Sequence, residues 1–233
     1  MNAMEGPAHR FAAVVSVPAG ADVRLDVAAL CIAAHAHPGL DVDEWCDRLD
    51  ELAAGCDDRT FEGLRTHLFG RLGFRGNADD YSDPENSFLD TVLVRRTGIP
   101  ITLSLVMMEV GRRIGVDVIG VGMPGHFLVQ DASRAGVWCD PFHGGRRLDL
   151  DGCRALFNRL HGTARAFHPG FLAPATPCDI LARMLTNLEH GRLGSDPLAL
   201  AWMCQLHLTL PNVGEHERAR LSAIESSVHA RWN

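Results

Sequence analysis

The sequence lacks any long basic run and any long apolar run. Its 233 residues include 22 lysines and arginines against 29 aspartates and glutamates, a net charge of −7. Basic residues cluster only as pairs such as Arg95-Arg96 and Arg146-Arg147. Because binding to a phosphate backbone needs a basic face, we expect no nucleic-acid partner. No apolar run approaches the ~20 residues of a membrane span, so we expect no membrane partner either.

The sequence also lacks a CxxC pair. Its seven cysteines are widely spaced, at Cys31, Cys46, Cys56, Cys139, Cys153, Cys178 and Cys204. That spacing excludes a zinc ribbon and a disulfide scaffold. Residues 1–10 lack the basic segment and following apolar segment of a secretory signal peptide. We therefore expect a cytoplasmic protein from a reducing compartment, and no pattern calls for a cofactor.

The first 75 residues carry a helical pattern. Apolar residues recur at helical spacing over residues 25–35, 42–54 and 61–72. Asp22 and Asp41 stand where N-caps are expected for the first two of these helices. A short strand is predicted over residues 11–17. Residues 1–75 are therefore predicted to form a helical subdomain.

The middle of the chain changes from helical to strand periodicity. Residues 101–114 are apolar around most of a helix, which predicts a buried one, and Pro100 suits its first position. Short strand-like runs follow at 116–121, 127–130 and 136–139, and a helix is predicted over 148–160. Residues 76–172 thus form a predicted core. Three helices at 180–188, 197–210 and 215–228 form a predicted tail, 173–233, and the order indicates an α+β fold.

Five segments carry a family resemblance. They read GFRGN at 73–77, NSFL at 86–89, RRTGIPITLS at 95–104, PGHFLV at 124–129 and WCDPFHGG at 138–145. Together they resemble the SirB-type branch of the transglutaminase-like superfamily. The tail, beginning ILARMLTNL at 180, is similar to the tetratricopeptide-like helices that close such proteins. The resemblance implies a papain-like or transglutaminase-like core, in which a buried helix packs on a small antiparallel sheet.

The resemblance also locates a catalytic triad and a defect in it. In active members a cysteine two residues after a glycine begins the buried helix, a histidine lies on the next strand, and an aspartate orients the histidine. The helix N-terminus and the imidazolium activate that thiol. Here the glycine is Gly98, so the nucleophile position is Pro100, while His126 and Asp140 match the other two positions. The nucleophile is therefore predicted to be absent.

Three nearby residues are weak substitutes for that nucleophile. Ser104 lies one helical turn further along, about 6 Å from the required position. Thr102 points to the opposite side of the helix. Cys139 adjoins Asp140 on a strand, so the two side chains face opposite ways. Packing or capping is the expected role of all three.

Other polar residues are candidates for lining the cleft. Asn77 and Asn86 could donate to a substrate carbonyl, or could serve only as turn and helix caps. Tyr81, the only tyrosine, is a candidate lid contact, and Thr102 is a further candidate. His143 completes a set with His126 and Asp140 that suits a divalent metal, although accidental clusters are common among twelve histidines. The cleft candidates are thus Asn77, Tyr81, Asn86, Thr102 and His143.

Three functions remain open at this point. The favoured hypothesis is a non-catalytic protein that uses the cleft and the helical tail to recognise a peptide or protein. The second is a slow or altered hydrolase or acyltransferase, with His126 as general base and Asp140 as the residue that orients it. The third is a metal-dependent hydrolase using His126, Asp140 and His143.

Overall fold

A computed structural model describes residues 6–17, 23–162 and 165–230 of the chain. Within these ranges helices come first, a small sheet follows, and helices close the chain. The predicted α+β class, with a core flanked by helices, is therefore confirmed. The predicted N-cap Asp22 lies outside the described residues.

In the part of the chain that the structure describes, four helices precede the core. They are α1 (Pro7–Val15), α2 (Leu25–Ala36), α3 (Val42–Ala54) and α4 (Phe61–Arg65), the last continued by a π-helical turn over Thr66–Arg71. The predicted N-cap of α3 is confirmed, because the Asp41 carboxylate accepts from the Asp43 and Glu44 N–H groups. Such a cap satisfies N–H groups that have no partner within the helix.

The strand predicted over residues 11–17 is wrong, since this segment lies mostly in helix α1. Pro7 occupies the first turn of that helix, where a missing N–H costs nothing. Phe11 and Val15 are four residues apart, so both face inward and are buried. A short apolar run fits strand and helix spacing equally well, which explains the wrong prediction.

Helix α6 (Pro100–Ile114) is the central element. Twelve of its fifteen residues are buried, as the all-round apolar pattern predicts. Before it come a loop, the short helix α5 (Leu89–Arg95) and two short strands. These strands, β1 (Arg75–Gly76) and β2 (Thr97–Gly98), pair in parallel and fix the loop beside the start of α6.

A four-stranded antiparallel sheet follows α6. It consists of β3 (Val118–Val121), β4 (Leu128–Asp131), β5 (Trp138–Asp140) and β6 (Arg146–Leu148), in that order across the sheet. Three strands were predicted, and β6 is an addition. Its Arg146 and Arg147 are both exposed, so the strand has no apolar alternation that could have revealed it.

The sheet separates two apolar clusters. Val129 and Cys139 face the main core around α6. Their neighbours Leu128 and Trp138 face a smaller cluster shared with α7 (Leu150–His161), as strand alternation requires. Burial on both faces holds the strand ends in place, and the candidate site is built at those ends.

Three helices close the chain: α8 (Pro177–His190), α9 (Pro197–Thr209) and α10 (Glu215–Ala230). Thr176 caps α8 reciprocally with Asp179. Helices α8 and α9 contribute side chains to the main core, so this segment packs directly on the rest of the chain. The boundaries 1–75, 76–172 and 173–233 stay predictions. In the described ranges, every helix is too short or too polar to cross a bilayer.

Candidate functional site

The sheet brings His126 and Asp140 to one place. His126 lies two residues before β4, and its N–H donates to the carbonyl of Met123 at 2.9 Å to close a tight turn. Gly125 in that turn has φ +75°, a conformation that favours glycine. Asp140 ends β5, the antiparallel neighbour of β4. The start of one strand and the end of the next therefore meet at the same edge of the sheet.

Asp140 lies between two histidines. Its Oδ1 is 2.9 Å from His126 Nε2, and its Oδ2 is 2.6 Å from His143 Nδ1. The backbone N–H of His143 also donates to Oδ1, at 3.3 Å. Asp140 and His126 are buried, at 1% and 5% exposure, whereas the His143 side chain is 48% exposed. The group therefore reaches solvent through His143.

Asp140 is held as a carboxylate. Burial alone raises the pKa of Asp140, but the hydrogen bonds and electrostatic attraction of His126 and His143 outweigh burial and leave the pKa below its usual value. An ionised carboxylate only accepts hydrogen bonds, so both imidazoles must donate to it. His126 Nε2 therefore carries a proton, and Nδ1 is the ring atom left for another partner.

Two aromatic rings form a wall beside this group. Phe142 meets His126 edge-on, with ring centroids 6.0 Å apart, and Tyr81 meets Phe142 edge-on at 5.7 Å. Gly76 donates its N–H to the Phe142 carbonyl at 2.9 Å, and a Cβ at Gly76 would lie 2.4 Å from the Phe142 ring. Phe142 was not among the predicted site residues, although it lies inside the WCDPFHGG segment. Tyr81 is 53% exposed, so the wall extends to the surface.

The other predicted cleft residues form a separate hydrogen-bonded group. Asn77 donates to the Asn86 side-chain oxygen at 3.0 Å, and Asn86 donates to the Asp80 carbonyl at 2.8 Å. The Thr102 hydroxyl donates to the Asn86 carbonyl at 2.7 Å. Asn86 and Thr102 are both buried. These contacts hold the 77–86 loop against the first turn of α6. The three side chains therefore use their hydrogen bonds within the chain.

Pro100, at the position where the resemblance predicts the missing nucleophile, is buried. Pro100 starts α6, with Ile99 as its N-cap. In the described part of the chain, the His126 ring hydrogen-bonds to Asp140 and to no thiol or hydroxyl. Ser104 is fully buried, and its hydroxyl has no partner among the described residues. Burial and the neighbouring Asp140 charge raise the pKa of Cys139 far above its usual value.

The other cysteine thiols, like that of Cys139, have raised pKa values. All seven cysteines are free, and all except the partly exposed Cys178 are buried. Burial raises the pKa of every one, to about 11 for Cys31, Cys46 and Cys204, to about 12 for Cys153, and above the usual value for Cys56, Cys139 and Cys178. A nucleophilic thiol requires the opposite shift, so each is a protonated thiol at neutral pH.

Among the described residues, two groups of side chains have ligand atoms close enough to share a metal ion. In the first, one ligand atom from each of His126, Asp140 and His143 lies within 4.8 Å of the others. The second consists of Glu189, His207 and Glu217 in the tail. There, Arg220 already donates to both carboxylates, and its positive charge opposes a cation. Of these two groups, the first has a carboxylate, Asp140, with no arginine partner among the described residues.

Comparison with known proteins identifies relatives of this chain. Residues 37–186 match the family described as the transglutaminase-like superfamily. A UPF0162 protein of Xylella fastidiosa strain Temecula1 is 40% identical over 164 residues, which cover 67% of this chain and 58% of that protein. A UPF0162 protein of Pseudomonas aeruginosa is 36% identical over 202 residues, covering 82% and 74%. Human F-box only protein 21 is 34% identical over 139 residues, covering 56% and 21%.

The chain spans about half the length of the two Xylella relatives, 58% of one and 46% of the other. No solved structure matches it.

Proposed function

Because the chain belongs to the transglutaminase-like superfamily, we propose that it is a non-catalytic member whose His126 site recognises a peptide or protein segment. The observation that carries this proposal is the combination of Pro100 at the start of α6 with a complete His126–Asp140 pair. A nucleophile is missing at Pro100, whereas the His126–Asp140 pair and the aromatic wall of Phe142 and Tyr81 are present. Sites rather than folds determine chemistry, so the proposal rests on these residues.

The accessible parts of the site suit a peptide. Tyr81 and His143 are about half exposed, and each contacts Phe142, with ring centroids 5.7 and 5.3 Å from it. Aromatic rings bury large contact areas at low entropic cost, which makes them effective anchors for a partner. The partner would contact these rings and leave the buried His126–Asp140 pair as their support.

The proposal also covers the tail and the finer family assignment. We propose that the chain is of the SirB-type branch and that α8, α9 and α10 are tetratricopeptide-like helices adding interaction area. Supporting this, consecutive tail helices pack against one another and are joined by short connections. Stacked helical pairs of that kind commonly present a concave surface to peptides.

A selection experiment tests the recognition role. A random heptapeptide display library would be selected on the full chain, and recovered peptides measured against Tyr81→Ala, His143→Ala and the double variant. Arg48→Ala, at an exposed position on α3 outside both the site and the tail, is the control. We expect the double variant to lose binding and the control to keep it. Recovered peptides that bind the double variant as tightly as wild type would contradict recognition at this site.

The His126–Asp140 geometry favours one second candidate, a slow hydrolase. His126 is oriented by Asp140 with Nδ1 available, so it could act as a general base toward water. Ammonia release from a panel of glutamine and asparagine peptide amides, compared between wild type and His126→Ala, tests this candidate. Turnover that disappears in His126→Ala would favour it over the recognition role. Metal analysis of protein purified without an affinity tag tests the metal-dependent version, which requires about one ion per chain.

A further inference from the structure

Arg183 on α8 contacts the turn that contains His126. Its Nη1 donates to the Met123 carbonyl at 3.0 Å, and the same oxygen accepts the His126 N–H at 2.9 Å. The two nitrogens therefore lie within about 6 Å of each other. The Arg183 guanidinium carbon is 5.8 Å from the centre of the Phe127 ring. The tail thus contributes a cationic group to the surroundings of His126.

Arg183 has no acidic partner among the described residues, in contrast to Arg113. Arg113 pairs with Asp26, Asp50 and Glu109. For Arg183, the described part of the chain supplies no carboxylate within ion-pair distance, and burial lowers its pKa. A guanidinium nevertheless stays charged at neutral pH. Charges withdrawn from water are normally paired, so this one has unused capacity for an anion.

The surroundings of Arg183 connect it to the aromatic wall. Arg183 and the His126 N–H both donate to the Met123 carbonyl, so Arg183 is joined to the turn that carries the His126 ring. Tyr81 in turn contacts Phe142, and Phe142 contacts His126. An anion beside Arg183 would therefore lie close to the His126 turn, and the His126 ring contacts the aromatic wall to which the recognition role is assigned. A carboxylate also matches the planar fork of a guanidinium and can accept two parallel hydrogen bonds.

We propose that Arg183 is the anion-recognising residue of the His126 site, and that the recognised segment carries a carboxylate. This inference rests on the proposed recognition function and narrows its ligand class. The carboxylate is either that of an acidic side chain or the carboxyl terminus of a peptide. Both offer the same group to Arg183, two oxygens that accept hydrogen bonds from the guanidinium.

Four probes separate the possibilities. Acetyl-Gly-Gly-Glu-Gly-amide carries a side-chain carboxylate, and its glutamine counterpart is the neutral isostere. Acetyl-Gly-Gly-Gly with a free carboxyl terminus offers the terminal group, and glutarate offers carboxylates without a peptide. Each would be titrated into the full chain, with the His126 ring and Arg183 Nε–H resonances followed by NMR. Weak binding is measurable this way, since shifts report dissociation constants in the millimolar range.

The variants isolate the guanidinium. Arg183→Gln removes its charge, and Arg183→Lys keeps the charge but loses the fork. Arg134→Gln is the matched control, because Arg134 is an exposed arginine in the β4–β5 turn, at the end of the hairpin away from His126. Circular dichroism and thermal unfolding would verify the fold of each variant. If Arg183→Gln does not fold, Arg183→Lys and the comparison of acid with amide probe on wild type still decide the matter.

We expect an acid probe to bind wild type and Arg134→Gln about tenfold or more tightly than the glutamine probe, as one charge-assisted hydrogen bond allows. The preference should vanish in Arg183→Gln. The better of the two acid peptides identifies side-chain or terminal recognition. Equal binding of acid and amide probes, or a preference that survives Arg183→Gln, overturns the inference while leaving peptide recognition intact. Glutarate binding that needs Arg183, with no peptide bound, supports the anion site and contradicts the peptide role.

Discussion

Removal of the Asp140 carboxylate should be among the most destabilising changes at the site. Asp140 is 1% exposed and accepts from His126 Nε2, His143 Nδ1 and the His143 N–H. Asp140→Ala leaves the buried His126 N–H without an acceptor. Breaking a buried charged pair in this way costs about 3–5 kcal/mol. His143→Ala should cost less than about 1 kcal/mol, because the His143 side chain is half exposed and water replaces its contact.

Equilibrium unfolding in urea measures the loss of unfolding free energy in both variants. The comparison is valid if the dependence of that free energy on urea concentration is the same in each variant as in wild type. Asp140→Asn is the matched variant, since it keeps the volume and one acceptor oxygen and should lose less than Asp140→Ala. If Asp140→Ala unfolded no more easily than His143→Ala, the described hydrogen-bond group would not stabilise this edge of the sheet, and the reasoning would be refuted.

The pH dependence of the same variants follows from the lowered pKa of Asp140. A carboxyl group whose pKa is lower folded than unfolded stabilises the fold above its unfolded pKa, which is about 4. That stability is lost as the pH falls through the folded value. The gap in unfolding free energy between wild type and Asp140→Asn should therefore be full at pH 7 and shrink below about pH 4. A gap that is constant down to pH 3 would contradict the assigned shift.

Three further substitutions test the supports of the site by urea unfolding. Gly76→Ala should cost about 1–3 kcal/mol, because the new Cβ meets the Phe142 ring, and adding Phe142→Leu should recover part of the loss. Thr102→Val should cost about 1–3 kcal/mol and Thr102→Ser much less, since only serine keeps the buried hydroxyl donor. Asp26→Asn weakens the bonds of a buried carboxylate to three arginines and should cost about 3–5 kcal/mol of unfolding free energy. The control Asp50→Asn should cost little, because the Asp50 side chain is exposed. Equal losses within any pair would contradict its explanation.

Local sequence signals predicted the scaffold of the site well. Pro100, the glycine that follows Ile114 and the apolar residues between them define α6, and each acts within a few residues of its own position. The strand pattern around His126 and Asp140 also follows from local alternation. Strand β6 was missed because its arginines are exposed and its apolar contact, Leu148, is a single residue. A strand held mainly by backbone pairing leaves little trace in composition.

The parts of the site that sequence reasoning missed depend on long-range packing. The Phe142 ring can form part of the wall because Gly76, far away in the sequence, has no side chain and lets the ring approach the Gly76 backbone. Arg183 reaches Met123 only because α8 packs back on the core. Its lack of an acidic partner is a property of the folded surroundings, which no spacing in the sequence reveals. The GFRGN and WCDPFHGG segments carried the only local signal for the contact between Gly76 and Phe142.

Iodoacetamide labelling tests the central claim, the absence of an activated nucleophilic thiol. The native chain at neutral pH would be labelled over a time course and its modified cysteines mapped by mass spectrometry. A Pro100→Cys variant would serve as the positive control. The double variant Pro100→Cys, His126→Ala would be labelled beside it for comparison. We predict that no wild-type cysteine reacts faster than the partly exposed Cys178, and that all seven react once the chain is unfolded. Rapid, selective labelling of a buried thiol such as Cys139 in the native protein would contradict the account.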